Sequence, residues 1–188
     1  MPSTWTVRRA SLTDATGVAG VHVEAWREAY AGIVPQQVLD SLSIDQRRAL
    51  WQRLLGPESA TAAAGTSVWV AEDSGAIVGF SNSVPARDAD ATGLGELGAI
   101  YVRASHWGRG VGRALHDEAL GTLREAGFPA AILWVLAENL RARRFYERQG
   151  WRTDGKAKRE PVRGAELDHV RYRIDLAATP AADAGSNG

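Results

Sequence analysis

Between Leu97 and Leu115 the chain reads LGAIYVRASHWGRGVGRAL. An apolar, β-rich run over Leu94–Val102 enters a turn with glycines at alternate positions, Gly108, Gly110 and Gly112, and a helical pattern starts at once. Val111, Ala114, Leu115, Ala119, Leu123 and Ala126 fall on one face of that helix, and Gly127 stops it. The next run, Ala130–Leu136 (AAILWVL), is continuously apolar, as expected of a strand buried on both faces. Strand, helix and strand in this order make a parallel crossover, which should be right-handed. A chain holding such a unit is committed to an α/β architecture, because the parallel strands need helices to cover them.

The flanking pattern completes the fold. Thr4 to Arg9 alternates as a short strand with Trp5 and Val7 inward. Thr13 or Asp14 can cap a helix reaching about Tyr30, with Val18, Val21, His22, Ala25, Trp26 and Ala29 near helical period. Gly32 and Pro35 break it, and Gln36–Leu42 and Ile44–Leu55 form a second helical region. Glu58–Gly65 reads as a loop. Ser67–Glu72 and Ala76–Val84 pair about the turn signal Asp73-Ser74-Gly75. Pro85–Gly93 is a charged loop. Asn139 caps a helix through Gln149, and Trp151–Lys158 and Leu167–Leu176 are the final strands, leaving Gly155–Leu167 as a connecting loop. The order β-α-α-β-β-β-α-β-α-β-β predicts a single α/β domain over residues 1–176, a mixed central sheet with helices on both faces. The tail, 177–188, is rich in Ala, Gly, Ser, Asp and Pro and is expected to be disordered.

Composition narrows the function. The chain has 188 residues, enough for one domain with a sizeable core. It has no cysteine, which excludes a thiol nucleophile, disulfides and the common zinc sites, and its four histidines lack metal spacing, so no metal is expected. Lys+Arg and Asp+Glu are both 22, without the basic excess of a general nucleic-acid binder. No apolar run approaches a membrane span and the N-terminus lacks a secretory core, so a soluble, cytoplasmic protein is expected. The neutral total hides opposed segments: Glu58–Ile100 balances at −5 and Tyr101–Arg159 at +6. The second segment is suited to a small anionic ligand.

The glycine turn sharpens that expectation. Glycines at a helix N-terminus let main-chain N–H groups approach an anion, which the helix dipole also favours. Arg109 and Arg113 add charge. A plain tight turn would need only one glycine. Arg113 stands where a dinucleotide fingerprint needs glycine, and the sole Gly-Lys pair, Gly155-Lys156, is followed by Ala157, which removes a Walker loop.

Two segments together resemble the GCN5-related N-acetyltransferase (GNAT) superfamily. Ile100-Tyr101-Val102 followed by HWGRGVGRAL is similar to the family's acyl-CoA pyrophosphate loop, Q/R-x-x-G-x-G/A, and residues 139–151 (NLRARRFYERQGW) are similar to its N-x-x-A-x-x-F-Y-E-x-x-G-F segment. The element order agrees over about residues 4–176. The chain departs from the pattern at Trp107, where the family has Gln or Arg, so the polar contact there falls to Arg109 or Arg113.

The resemblance implies acetyl-CoA as cosubstrate, held by Ile100, Tyr101, Val102, Gly108, Arg109, Gly110, Val111, Gly112, Arg113, Asn139 and Arg144, with no metal. It implies transfer of the acetyl group to a primary amine of a small molecule by direct attack in a ternary complex. The Ile100 N–H would be the oxyanion donor, Val102 would bind the pantetheine arm in a wedge between two parallel strands, and Tyr146 would be the general acid. Glu96, four residues before Ile100 and so on the same face of a regular strand, is the candidate base; a solvated strand-end acid is the alternative. The acceptor pocket would fall to the first helix and the last hairpin. Trp26 and Tyr30, one turn apart, give it an aromatic wall with Glu96 beside it, and Glu24 and Glu28 form a second pair suited to a cationic amine. No nucleic acid or membrane partner is implied, and a homodimer stays open. A non-catalytic acyl-CoA-binding module is the alternative function.

Overall fold

The computed structural model describes residues 5–57 and 63–176. Seven strands form one sheet: β1 (Trp5–Arg9), β2 (Ser67–Asp73), β3 (Ala76–Pro85), β4 (Gly95–Val102), β5 (Ala130–Leu136), β6 (Arg152–Val162) and β7 (Ala165–Asp175). Their order across the sheet is β1-β2-β3-β4-β5-β7-β6, and only β4 and β5 run parallel. The helices are α1 (Ala15–Ala29), α2 (Gln36–Asp40), α3 (Ile44–Leu55), α4 (Val111–Glu125) and α5 (Leu140–Arg148). Among the described residues no helix is long and apolar enough to cross a membrane. The element order and mixed sheet agree with the sequence expectation. The expected disordered tail, Thr4, and residues 58–62 of the Glu58–Gly65 loop lie outside the described residues.

One expectation is corrected. The Gly155–Leu167 segment is not a loop but mostly hairpin, with β6 running to Val162 and turning at Arg163-Gly164, both at positive φ (50° and 86°). That is the left-handed pair a two-residue hairpin turn needs. β6 is exposed along nearly its whole length, so no apolar alternation marks it in the sequence.

Helices cover both faces. α4 and α5 bury Leu120, Leu123 and Tyr146 against Leu97, Leu133 and Tyr172 of the sheet. On the other face α1 and α3 bury Val18, Val21 and Trp51 against Val70 and Phe80. A third cluster joins α1 and α2 to the β6–β7 hairpin, with Trp26, Tyr30, Val162 and Ala165 packed around buried Val23, Leu39 and Leu167.

Two buried histidines are fixed by indole donors. The Trp51 Nε1–H donates to His22 Nδ1 at 3.2 Å, and the Trp151 Nε1–H donates to His116 Nε2 at 2.9 Å. Each ring must keep an unprotonated nitrogen to accept, and protonation would set two N–H groups against each other. Burial, with nearby arginines, pushes His22 down from 6.5 to about 3, and burial pushes His116 the same way.

The unfolded chain protonates these rings below about 6.5 and the folded one does not, so stability should fall as pH drops from 6.5, the His22 contribution levelling near 3. Urea unfolding between pH 7 and 4 should show this loss. His22→Gln should remove up to about 1.4 kcal/mol per pH unit of it.

Candidate active site

The site begins where the parallel ladder stops. β4 and β5 pair only at Gly95–Ala131 and Glu96–Ile132. Beyond Glu96, β4 keeps its antiparallel bonds to β3 while its other edge opens. Arg103 N–H donates to Val78 O at 2.9 Å. Main-chain groups alternate between edges along a strand. Tyr101 and Ala99 therefore also face β3, and Ile100 and Val102 present their N–H and C=O groups to the opening. Two neighbouring parallel strands with unpaired inner edges make a cleft suited to an extended amide-bearing chain.

A bulge changes the faces of β4. Asn82 lies opposite Ala99 but Ser83 lies opposite Leu97, so Gly98 is an extra residue. A Cβ at Gly98 would sit 2.6 Å from Asn82 Nδ2, so a larger residue here would have to turn the Asn82 side chain aside. The extra residue reverses the alternation. Leu97 and Ile100 face α4, while Ala99 and Tyr101 face α1 and α3. Glu96 thus shares the face of Tyr101 and lies opposite Ile100. This corrects the same-face expectation, which assumed an unbroken period of two.

Glu96 is not a solvated strand end. It is 5% exposed, and its carboxylate accepts from Arg87 Nη2 at 2.6 Å and from Arg87 Nε at 3.3 Å. Arg87 belongs to the loop before β4, which the buried Arg171 anchors through Asp88 and Asp90 at 3.1 and 2.8 Å. The sequence reading missed both arginines, because only the folded loop brings them there.

The glycine turn forms as expected. Gly108 and Gly110 have φ of 74° and 84°, and Gly110 is the residue before the first turn of α4. Val111 is fully buried and fixes the helix start, and Gly112 lies against the Phe145 ring. The main-chain N–H groups of 108–113 make no short, well-aligned bond to a main-chain acceptor among the described residues, only the weaker contacts of the turn itself. Arg109 is exposed, and Arg113 lies 3.6 Å from Asp117 on its own helix. These N–H groups at a helix start fit a diphosphate.

Trp107 takes a part of its own. Its Nε1–H donates to Val102 O at 2.8 Å, and the Arg141 guanidinium stacks 2.9 Å from its ring centre. The Val102 carbonyl, expected to be free for a ligand, already accepts this bond. Neither contact is visible from the motif, which marks Trp107 only as a departure.

On α5, Asn139 Oδ1 accepts from Ala142 N at 3.1 Å, so the expected cap is present. Tyr146 is 9% exposed, with its ring among Phe145 and Trp151. Burial raises its phenol above the ordinary 10, so it stays protonated at neutral pH. Arg144 is exposed, whereas Arg143 is tied to Tyr172 and the Ala137 carbonyl.

Across the sheet, Trp26 and Tyr30 meet edge to face at 5.0 Å, and Tyr30 and Tyr101 share a hydrogen bond of 3.1 Å. The carboxylates expected beside them are used elsewhere. Glu24 pairs with Arg103 at 3.3 Å, and Glu28 accepts from Ala104 N at 3.2 Å. They brace the segment after β4 and do not supply a pocket for a cation. Among the described residues no cluster of His, Asp or Glu is arranged to hold a metal ion.

The Acetyltransferase (GNAT) family model matches residues 24–151, a span holding the cleft, the glycine turn and Tyr146. The chain belongs to the GNAT family. It is 31% identical over 180 residues, 95% of its length and 98% of the relative's, to a "Probable N-acetyltransferase" of Mycobacterium tuberculosis. Its fold is similar to that of an N-acetyltransferase from Thermoplasma acidophilum in complex with coenzyme A, with a TM-score of 0.70, 19% identity, and 92% and 99% of the two chains covered. It is also similar to a Salmonella typhimurium protein solved with its cofactor acetyl-CoA, with a TM-score of 0.66, 20% identity, and 97% and 100% covered. This GNAT chain is an acyltransferase of the N-acetyltransferase kind.

Gly110→Ala tests the turn. A side chain at positive φ costs about 1–2 kcal/mol, so urea unfolding should show a loss of that size. Calorimetry should show several-fold weaker coenzyme A binding.

Proposed function

We propose that this protein transfers the acetyl group of acetyl-CoA to a primary amine of a small acceptor by direct attack in a ternary complex. The observation that carries the reading is the early end of the β4–β5 ladder beside the weakly bonded N–H groups of 108–113. One end of this arrangement suits a diphosphate and the other suits an extended thioester arm.

In this reading the thioester enters between β4 and β5, its carbonyl oxygen near the Ile100 N–H. The amine approaches from the α1 and α3 side, where Glu96 and Tyr101 lie. Its nitrogen forms a bond to the carbonyl carbon, and negative charge develops on the oxygen. A main-chain donor already aimed at that oxygen needs no rearrangement during the reaction. Collapse breaks the carbon–sulfur bond and releases the coenzyme A thiolate. The amine must lose a proton, and in this reading Glu96, on that face, accepts it directly or through water. Arg87 orients that carboxylate through its bonds of 2.6 and 3.3 Å. Tyr146, protonated across the neutral range, donates to the leaving sulfur. No covalent enzyme intermediate is needed, in keeping with a chain without cysteine.

Thiol release from acetyl-CoA across a panel of small amines tests the reading. Tyr146→Phe should lower kcat by about 10²-fold or more while the Kd for coenzyme A stays within about twofold. An unchanged kcat would remove Tyr146 from the proton path. Thiol release with no amine, alongside tight coenzyme A binding, would favour the non-catalytic binding module instead.

A further inference from the structure

The acceptor side of the sheet carries two cations and no free carboxylate beside them. Arg47, from α3, lies with its guanidinium carbon 5.7 Å from the centre of the Trp26 ring. Its Nε is buried and has no hydrogen-bond partner, and Arg47 makes no ion pair among the described residues. The Trp26 Nε1–H, on the same floor, is buried without a well-formed hydrogen bond, with the Tyr101 hydroxyl close enough to interact with it. The second cation is Arg163, at the tip of the β6–β7 hairpin. Val162 and Ala165, on either side of the turn, pack against the same buried cluster as Trp26 and Tyr30, which brings the tip to this end of the floor. The charge of Arg163 reaches both Arg47 and His22 and pushes their proton affinities down.

This arrangement is costly in the protein alone. Two like charges repel, and the buried Nε–H of Arg47 has no acceptor to offset its loss of water. Nothing nearby relieves it. Glu24 and Glu28 are committed to Arg103 and Ala104, and His22 is neutral with its Nδ1 accepting from Trp51. What the floor lacks is an anion with more than one acceptor oxygen. A carboxylate meets that need, because a planar guanidinium donates to its two oxygens in parallel.

We propose that the acceptor carries a carboxylate as well as its amine, the carboxylate seated between Arg47 and Arg163 over Trp26. The inference rests on the acetyl-transfer reading and deepens it. The substrate class is then amino-acid-like: a small molecule whose amine faces Glu96 and the thioester while its acid group faces the arginines. Polyamines and other purely cationic amines would meet two positive charges at the entrance and be rejected. The pocket first expected for a cation is thus of the opposite sign.

Matched pairs test it. Each L-amino acid is compared with its own primary carboxamide in the thiol-release assay. The carboxamide's amine is the less basic and so more readily deprotonated, which biases the comparison against the acid. A kcat/KM at least tenfold higher for the acid is expected, with most of the difference in KM. Arg47→Gln should bring the ratio toward one. Arg163→Gln, at an exposed hairpin tip where folding is not at stake, should lower it in the same direction. Equal rates for acid and amide, or a ratio unmoved by either substitution, would overturn the proposal. Thermal shift with the same pairs separates this failure from failure of the catalytic reading. Stabilisation by the acids alone, lost in Arg163→Gln, would support the anion seat even if no amine were acetylated. No stabilisation by any acid, in a protein that turns over amides, would sink the seat and leave acetyl transfer standing.

Discussion

Two parallel strands bond through two residue pairs and then part. A fully paired β4–β5 ladder would leave Ile100 and Val102 bonded to the neighbouring strand and leave no space between. The bulge at Gly98 accompanies the parting: an extra residue bends a strand and increases its local twist. It also sets which side chains face which helix layer. One irregularity in one strand thus coincides with the opening and decides which side chains of β4 lie on each face. The rest of the molecule holds this strand in place. β3 secures its outer edge, α4 covers one face, and α1 covers the other.

Much of this was legible in the sequence. The crossover unit, the glycine turn and the Asn139 cap rest on local patterns, and local patterns survive folding. The bulge was not legible, because it exists only as a count of residues against a partner strand, and so Glu96 was assigned the wrong face. β6 was shortened for a different reason: a strand exposed on both sides has no alternation to betray it. Glu24 and Glu28 were read correctly as one helix face, but what that face meets, Arg103 and Ala104, depends on how the chain leaves β4. Arg47 and Arg163 lie far apart in sequence and meet only because the last hairpin folds back onto the first helix.

Burial of polar groups follows a consistent logic. His22 and His116 are kept neutral by accepting indole protons, so their burial costs little. Arg171, almost fully buried, is satisfied by Asp88, Asp90 and Asp154 and so fixes the loop that carries Arg87. Against this background Arg47 differs from Arg103: both have a buried Nε without a hydrogen bond, but Arg103 is paired with Glu24 whereas Arg47 makes no ion pair among the described residues.

The bond between the Trp107 indole and the Val102 carbonyl changes how binding in the cleft is accounted for. A pantetheine amide that reaches this oxygen either shares it, on the second lone pair, or displaces the indole, and only displacement exchanges one hydrogen bond for another with little net gain in affinity. The grip on the cosubstrate then shifts toward its charged end, and cosubstrate fragments lacking the diphosphate become poor competitors. Because the same indole is stacked on Arg141, freeing the oxygen also unfastens β4 from α5. Filling the arm channel and loosening the channel's outer wall become one event.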